Sequence, residues 1–325
     1  MENHLVVIDL VADIRRRPSD AQGGYVHDDL QETQVLYNEV LIYRDQLEGW
    51  FYVEAAEQKK FVQSNVLQGY PGWIRKDSAV PTDASTKRDI TVKNINALIR
   101  KDLQESSDIL LIPPIGSRFT VKQHTDEGQY QVLLPDGRTG WINDYDVARF
   151  DEMLPEEILR RNISDTAGLF LGTPYLWGGR SVVNTEPTFN VQGSTFNVNS
   201  QLTTHASQLI AGVDCSSLTN LVFRINNVDI PRDAHDQWLA AERISPDELK
   251  PGDLVFVSES GNSDRIIHVM LYLGEECFVE ALETGSVVQT GTFKDRFHAG
   301  LSVLSDNDFK VDDKKVYFGR VLNAR

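Results

Sequence analysis

The chain has 325 residues, of which 41% are apolar, enough for two or three domains with substantial hydrophobic cores. Its 48 acidic residues outnumber the 32 basic ones and give a formal charge of −16. This balance argues against a nucleic-acid partner and against unaided adhesion to anionic membranes or wall polymers, whereas it suits a ligand that carries a positive amine.

The N-terminal segment MENHLVVIDLVADIRRRPSD lacks the pattern of a secretory signal, because Asp9 and Asp13 interrupt a short apolar run. No stretch of about 18 apolar residues, the length that spans a membrane, occurs in the chain. The chain has two cysteines, too few for a disulfide scaffold, and free thiols fit a reducing compartment. We therefore predict a cytoplasmic protein; the alternative is an exported protein whose signal has been removed.

The first 150 residues contain a weak repeat built on Gly-Trp-Ile. The two copies, each with the strand pattern before it, are GWFYVEA (49–55) with GWIRKDSAV (72–80), and GQYQVLL (128–134) with GWINDYDVA (140–148). Short strands separated by turn residues are typical of small barrels. We predict one β-barrel at 1–85 and a second at 86–150, with Trp73 and Trp141 in their cores. The pattern resembles bacterial SH3-like domains.

From residue 151 the pattern changes to helices followed by strands, which predicts an α+β domain over 151–325. Helical spacing predicts helices over 155–171, directly behind Cys215, and over 233–243. The buried face of the helix behind Cys215 is predicted from the i, i+3, i+4, i+7 spacing of Leu218, Leu221, Val222 and Ile225. Strands are predicted within 249–257, 266–274 and 277–282 and near the C-terminus. The polar residues 182–211 form a predicted surface insertion.

Cys215 stands at the predicted helix start, in the stretch GVDCSSL. The positive end of the helix dipole and the unpaired amides of the first turn both favour a thiolate, the reactive form of cysteine. Asp214 occupies the cap position, where its carboxylate can accept from those amides. The sequence therefore places a candidate nucleophile at residue 215.

His268 is the histidine that lies inside a predicted strand after a polar loop, and a strand can hold an imidazole in fixed geometry. Glu280 follows on the next predicted strand, and a turn at Gly274 would bring it beside His268. A thiol, an imidazole and an orienting acid form the group that activates a papain-like nucleophile. The structural alternatives are a small buried cysteine, a structural histidine and a solvated glutamate.

The C-terminal half resembles the NlpC/P60 family of cysteine peptidases, a papain-like α+β fold. Five ordered segments carry the resemblance: PYLWGG (174–179), GVDCSSL (212–218), PRDAHDQ (231–237), LKPGDLVFV (249–257) and IHVMLYLG (267–274). They favour the catalytic readings of Cys215 and His268. The family has Gly where this chain has Ser217, often has His in the position of Glu280, and usually lacks the 182–211 insertion. We expect Ser217 to alter packing and not to abolish activity.

Two SH3-like domains before an NlpC/P60 domain resemble a subgroup of γ-D-glutamyl-L-diamino-acid endopeptidases, which trim cell-wall (murein) peptides with a free N-terminal L-alanine. The resemblance implies substrate-binding roles for Glu32, Tyr70, Trp177, Asp214, Ser216 and Asp233. The carboxylates would face the ammonium group, because a buried charge needs partners. For several of these residues a structural role stays open: solvated surface for Glu32, barrel packing for Tyr70, a core position for Trp177 and a helix cap for Asp233.

The resemblance implies a mechanism in which Cys215 attacks the γ-D-glutamyl carbonyl, His268 transfers the proton and Glu280 holds the imidazole. The Cys215 amide would bind the oxyanion, and the sequence identifies no second donor. Cys277 is predicted to be a buried structural thiol. No metal or cofactor is expected, because cysteine and histidine show no ligand spacing. A wall-peptide binding protein without catalysis and a papain-like amidase or acyltransferase are the alternatives, and the oligomeric state is not predicted.

Overall fold

The computed structural model describes residues 4–21, 27–63, 66–83, 87–182, 188–191, 194–197, 211–304 and 310–322. The chain divides into two compact units. Unit 1 comprises Met1–Glu57, Gly69–Met153 and Gly178–Ala211, and unit 2 comprises Gln58–Gln68, Leu154–Trp177 and Gly212–Arg325.

The first seven strands form one antiparallel sheet with the order β3-β2-β6-β5-β4-β1-β7. These strands are β1 (His4–Val7), β2 (Val11–Arg15), β3 (Gln31–Leu36), β4 (Val40–Leu47), β5 (Trp50–Gln63), β6 (Val66–Arg75) and β7 (Ala79–Thr82). Alternate residues of single strands, such as Ala12 with Ile14 and Val53 with Ala55, belong to one core cluster, as expected of side chains that share a face of a sheet. The core cluster includes Ile14, Val35, Leu41, Val53 and Ile74, all fully buried.

Residues 90–149 form two further sheets, with the orders β10-β9-β14-β13-β12 and β11-β8-β15. Their strands are β8 (Ile90–Val92), β9 (Ile99–Arg100), β10 (Ile109–Leu111), β11 (Arg118–Phe119), β12 (Val121–His124), β13 (Gln129–Leu133), β14 (Thr139–Asn143) and β15 (Val147–Arg149). The predicted boundary at residue 85 lies outside the described residues, and the boundary at residue 150 directly follows β15. The assignment of two separate barrels stays a prediction.

The two Gly-Trp-Ile copies occupy equivalent positions in their sheets. Trp73 pairs with Arg15, and Trp141 pairs with Arg100, each across an antiparallel ladder. A side chain at Gly72 would collide with the neighbouring strand, and one at Gly140 would do the same in its own sheet. The glycine of the motif therefore allows two strands to approach closely.

The prediction that Trp73 and Trp141 fill the cores is wrong. Both tryptophans are only partly buried, whereas the residues that follow them, Ile74 and Ile142, are at most 1% exposed. Because side chains alternate between the faces of a strand, an isoleucine in the core places the preceding tryptophan on the other face. Tyr52 packs against Trp73 there, with ring centroids 5.1 Å apart.

From residue 151 onward three helices precede the strands of the large sheet, as predicted, and two further short helices precede its last strand. The helices are α1 (Glu156–Gly168), α2 (Cys215–Ile225), α3 (Ala234–Ala240), α4 (Phe293–Phe297) and α5 (Leu301–Leu304). The strands are β16 (Arg180–Ser181), β17 (Thr188–Val191), β18 (Ser194–Asn197), β19 (Gly212–Val213), β20 (Glu242–Arg243), β21 (Leu254–Glu259), β22 (Asn262–Gly274), β23 (Cys277–Glu280), β24 (Gln289–Thr292) and β25 (Val316–Arg320). An antiparallel sheet of unit 2 has the order β20-β25-β21-β22-β23-β24.

Helix α2 packs against α1 and against β22, the central strand that carries His268. Its predicted buried face is confirmed, because Leu218, Leu221, Val222 and Ile225 are at most 1% exposed. A further core cluster of unit 2 is mainly aromatic and contains Phe278, Phe293, Phe297 and Phe318. The sheet and α2 therefore form a rigid base for the residues at the start of the helix.

The strand predicted over 266–274 begins earlier, at Asn262, because its first residues continue the ladder with β21 through two register shifts. Within the predicted insertion, β17 and β18 pair as an antiparallel hairpin. Most of the other residues of 182–211 lie outside the described residues. Among the residues that are described, no helix combines the length and apolarity needed to cross a membrane.

Candidate active site

Cys215 is the first residue of α2, and Asp214 caps this helix. The Asp214 carboxylate accepts a hydrogen bond from the Ser217 amide at 2.8 Å, and the Ser217 hydroxyl accepts one from the Asp214 amide at 2.9 Å. This reciprocal arrangement is a capping box, which fixes the direction in which the chain enters a helix. Ser217 therefore has a structural role in this chain, and the half-buried Cys215 is held at the first turn.

Arg232 holds the other side of the Asp214 carboxylate. Its two terminal nitrogens lie 3.0 and 2.7 Å from the two carboxylate oxygens, and the first also lies 2.9 Å from the Ser216 hydroxyl. Arg232 is 1% exposed. The residue preceding the thiol is therefore fixed by a buried bidentate ion pair, a strong and directional contact. The one signal for Arg232 in the sequence is its place in the PRDAHDQ segment.

His268 and Glu280 lie together, as the turn at Gly274 predicts. Strands β22 and β23 pair across this turn, and the Nε2 of His268 lies 2.8 Å from the Oε2 of Glu280. Glu280 is 2% exposed and His268 is 8% exposed. Arg296 approaches the same carboxylate oxygen at 3.6 Å. The imidazole is thus anchored by a carboxylate that is itself flanked by a second cation.

The electrostatics of His268 favour its protonated form. Burial lowers its pKa, but the charge of Cys215 and hydrogen bonds to Cys215 and Glu280 outweigh that effect and raise the pKa to about 9. Burial raises the pKa of Glu280, whereas its hydrogen bond to His268 and the charges of His268 and Arg296 lower it more. Hydrogen bonds and opposite charges stabilise ionised groups in this way. Cys215, His268 and Glu280 therefore form one connected set.

Tyr175 is a neighbour of Cys215 that the sequence analysis did not single out. It is 7% exposed, and this burial raises the pKa of its hydroxyl above the usual value for tyrosine. The charges of Cys215 and Asp214 raise the pKa further. A phenol in this environment keeps its proton and can donate a hydrogen bond. Its position in the PYLWGG segment was the available signal, since that segment precedes the cysteine in the resemblance.

Asp233 stands at the N-cap position of α3 but makes no side-chain cap hydrogen bond. Its carboxylate instead lies 2.7 Å from the Nζ of Lys60. Ser216, buried behind Cys215, donates to the Asp214 carboxylate at 3.2 Å. The structure therefore brings Asp214 and Ser216 into direct contact, and it gives both Asp214 and Asp233 a basic partner.

Trp177 is 39% exposed, which rules out a core position and leaves its ring accessible. In unit 1, the Tyr70 hydroxyl donates to the Glu32 carboxylate at 3.3 Å, and Arg16 forms an ion pair with Glu32. Tyr70 is 3% exposed and belongs to the core cluster of that unit, so it does pack the sheet. Glu32 is not a simple solvated side chain, because its carboxylate has two protein partners.

The prediction that Cys277 is buried is wrong. Cys277 is the first residue of β23 and is partly exposed, and its sulfur lies 3.4 Å from the Glu275 carbonyl oxygen. Both cysteines are free thiols. Among the described residues, no group of three or more His, Cys, Asp or Glu side chains is arranged to hold a metal ion.

The arrangement of the thiol, imidazole and carboxylate can support nucleophilic attack on an acyl group, followed by proton transfer to a leaving group. Residues 172–301 match the family model described as NlpC/P60 family. They include Tyr175, Cys215, His268 and Glu280.

Two curated relatives cover different shares of the chain. The gamma-D-glutamyl-L-lysine dipeptidyl-peptidase of Bacillus subtilis (strain 168) is 24% identical over 289 residues, which are 88% of this chain and 83% of that protein. Peptidoglycan endopeptidase RipB of Mycobacterium tuberculosis (strain ATCC 25618 / H37Rv) is 36% identical over 126 residues, 39% of this chain and 42% of that protein.

A crystal structure of an NlpC/P60 family protein from Bacillus cereus ATCC 10987 is similar over 98% of this chain and 99% of its own length. The TM-score is 0.72 at 18% sequence identity, so this likeness shows a shared fold. It covers both the β-rich first half and the α+β second half.

Proposed function

The chain carries an NlpC/P60 family domain at residues 172–301, and from this premise we propose that it is a cysteine peptidase that hydrolyses the γ-D-glutamyl-L-diamino acid bond of cell-wall peptides. The names of its relatives, a gamma-D-glutamyl-L-lysine dipeptidyl-peptidase and a peptidoglycan endopeptidase, support this substrate class. The observation that carries the proposal is the contact of His268 with both Cys215 and Glu280.

The reaction begins with attack of the Cys215 thiolate on the γ-carbonyl of the D-glutamyl residue. His268, protonated in the ion pair with the thiolate, gives its proton to the leaving amine of the diamino acid. Water then attacks the acyl-enzyme, with His268 as the base, and releases the γ-glutamyl product. Glu280 keeps the ring oriented and stabilises the imidazolium throughout.

We propose two hydrogen-bond donors for the oxyanion. The first is the backbone amide of Cys215, one of the first-turn amides that a helix leaves without an internal partner. The second is the Tyr175 hydroxyl, which stays protonated in its buried position near the sulfur. Removal of one such donor typically lowers kcat by about 10²–10³.

We further propose that the enzyme requires a free N-terminal L-alanine on its substrate. The acids assigned to the ammonium group by resemblance each face a base: Glu32 with Arg16, Asp214 with Arg232 and Asp233 with Lys60. The Asp233 pair is accessible, since both side chains are 32% exposed, whereas Arg232 is buried. Asp233 can therefore exchange its partner for the ammonium more readily than Asp214 can.

The experiment incubates the protein with L-alanyl-γ-D-glutamyl-L-lysine, the same peptide with meso-diaminopimelic acid, and an α-linked L-alanyl-L-glutamyl-L-lysine control. Mass spectrometry is expected to detect L-alanyl-γ-D-glutamate from the γ-linked peptides and no product from the α-linked one. Peptide binding without any product would indicate a binding protein, and transfer of the acyl group to an added amine would indicate an acyltransferase.

A further inference from the structure

Lys60, on β5, belongs to unit 2 together with the residues that it contacts. Its Nζ lies 2.7 Å from the Oδ2 of Asp233, and each side chain keeps about a third of its surface exposed (32%). Sequence spacing gives no hint of this contact, because the two residues are 173 positions apart. The ion pair lies at the N-terminal end of α3, one residue from Arg232, which binds the carboxylate adjacent to Cys215.

The backbone on both sides of Lys60 is fixed to the segment around α3. The Lys59 carbonyl accepts a hydrogen bond from the Arg232 amide at 2.9 Å, and the Phe61 amide donates to the Asp236 carboxylate at 3.0 Å. Asp236 is 7% exposed, so the second contact is a buried anchor. The two bonds limit the positions that the Lys60 ammonium can reach, which distinguishes it from an unrestrained surface lysine.

The two basic side chains next to this end of α3 differ in access. Arg232 is 1% exposed and fully engaged by both oxygens of Asp214, so it cannot turn to a ligand without leaving a buried carboxylate unpaired. Lys60 has a flexible stem and an exposed flank. It can therefore form a contact with an arriving anion.

The proposed substrate carries such an anion. A γ-linked D-glutamyl residue keeps its α-carboxylate free, one peptide unit from the ammonium of the preceding alanine. We propose that Lys60 binds this α-carboxylate while Asp233 binds the ammonium, so that the zwitterionic substrate replaces one internal ion pair by two external ones. This assignment rests on the proposed function, and it makes Lys60 a specificity residue that separates D-glutamyl from amidated D-isoglutaminyl peptides.

The test measures kcat/KM for L-alanyl-γ-D-glutamyl-L-lysine and for the same peptide with the α-carboxylate amidated. The wild-type protein is expected to prefer the acid by about tenfold or more, the size of one hydrogen bond to a charged group. K60Q is expected to lose this preference, and its urea-unfolding midpoint, expected near that of the wild type because the pair is partly exposed, shows that it folds. K60R keeps the charge and retains the preference, and K59Q, a change at the exposed neighbouring lysine, behaves like wild type.

Equal wild-type activity on the two peptides, or an unchanged preference in K60Q, would overturn the role of Lys60 and leave the proposed function intact. An equal loss of both activities in K60Q would also overturn it, because a carboxylate contact affects the acid peptide alone. If the wild-type protein cleaves neither peptide, the proposed function fails and the inference fails with it.

Discussion

The Nε2 of His268 lies 2.8 Å from the Oε2 of Glu280. Because this nitrogen is engaged, Nδ1 is the one left to exchange a proton with Cys215. The Glu280 carboxylate supplies charge as well as orientation to the imidazole. The high pKa of His268 is a consequence of this contact and of the contact with Cys215.

Replacement of Glu280 by glutamine is expected to lower kcat and to change its pH dependence. Glu280 raises the pKa of His268, which is about 9 in the intact site, so the ring loses its proton at lower pH in E280Q. Activity that needs the imidazolium falls as pH rises through the His268 pKa. The alkaline limb of the kcat/KM profile therefore moves to lower pH, and kcat drops by a factor on the order of 10²–10⁴.

The matched control for this measurement is E275Q, at an exposed position in the turn between β22 and β23. It is expected to reproduce the wild-type profile. An E280Q profile with an unshifted alkaline limb would contradict the assigned link between Glu280 and His268.

Arg296 is expected to act as a positioning residue for Glu280. Its charge, 3.6 Å from the carboxylate, contributes to the lowered pKa of that group together with the hydrogen bond and charge of His268. In R296Q the pKa of Glu280 rises, so the carboxylate becomes protonated at a higher pH than in the wild type. The acid limb of the kcat/KM profile therefore moves to higher pH. K294Q changes an exposed lysine on the same helix and should leave the limb unchanged. Coincident acid limbs for R296Q and wild type would exclude this role.

The buried pair of Arg232 and Asp214 is expected to stabilise unit 2. R232M leaves the Asp214 carboxylate buried without its bidentate partner, and loss of one partner from a buried ion pair typically costs about 3–5 kcal/mol. Urea unfolding followed by tryptophan fluorescence measures the loss. R161M, at an exposed position of α1, is the control and is expected to unfold near the wild-type midpoint. Equal midpoints for R232M and wild type would show that the pair is not stabilising.

N-acetylation of the substrate alanine is expected to lower kcat/KM by a factor on the order of 10² or more, since it removes a charge that forms hydrogen bonds with carboxylates. Steady-state rates for the free and the acetylated peptide measure the effect. If both peptides are cleaved at the same rate, the assigned ammonium site is absent.

Local periodicity and turn chemistry predicted the parts of the site that depend on neighbouring segments. The start of α2 follows from the cap residue and the apolar spacing behind Cys215. The contact of Glu280 with His268 follows from two strands joined by a short turn, where Gly274 adopts φ +99°. The helix start and the pairing of the two strands are each determined by neighbouring residues, so the sequence predicts both.

Contacts between distant segments could not be predicted in the same way. The pairs Arg232–Asp214 and Lys60–Asp233 join residues 18 and 173 positions apart. The periodicity of a sequence does not predict contacts between segments so far apart. Trp73 and Trp141 were predicted to lie in cores, and Cys277 was predicted to be buried from its alternation with polar neighbours, but all three are only partly buried. The cytoplasmic location, the domain boundaries and the substrate-binding roles stay predictions.

The central claim is that Cys215 is the nucleophile for the γ-D-glutamyl bond, and product analysis of matched cysteine variants tests it most directly. Wild type and C277A are expected to release L-alanyl-γ-D-glutamate from L-alanyl-γ-D-glutamyl-L-lysine at equal rates. C215A is expected to release none while still binding the peptide in a calorimeter. Turnover by C215A at the wild-type rate, or loss of turnover in C277A alone, would contradict the account.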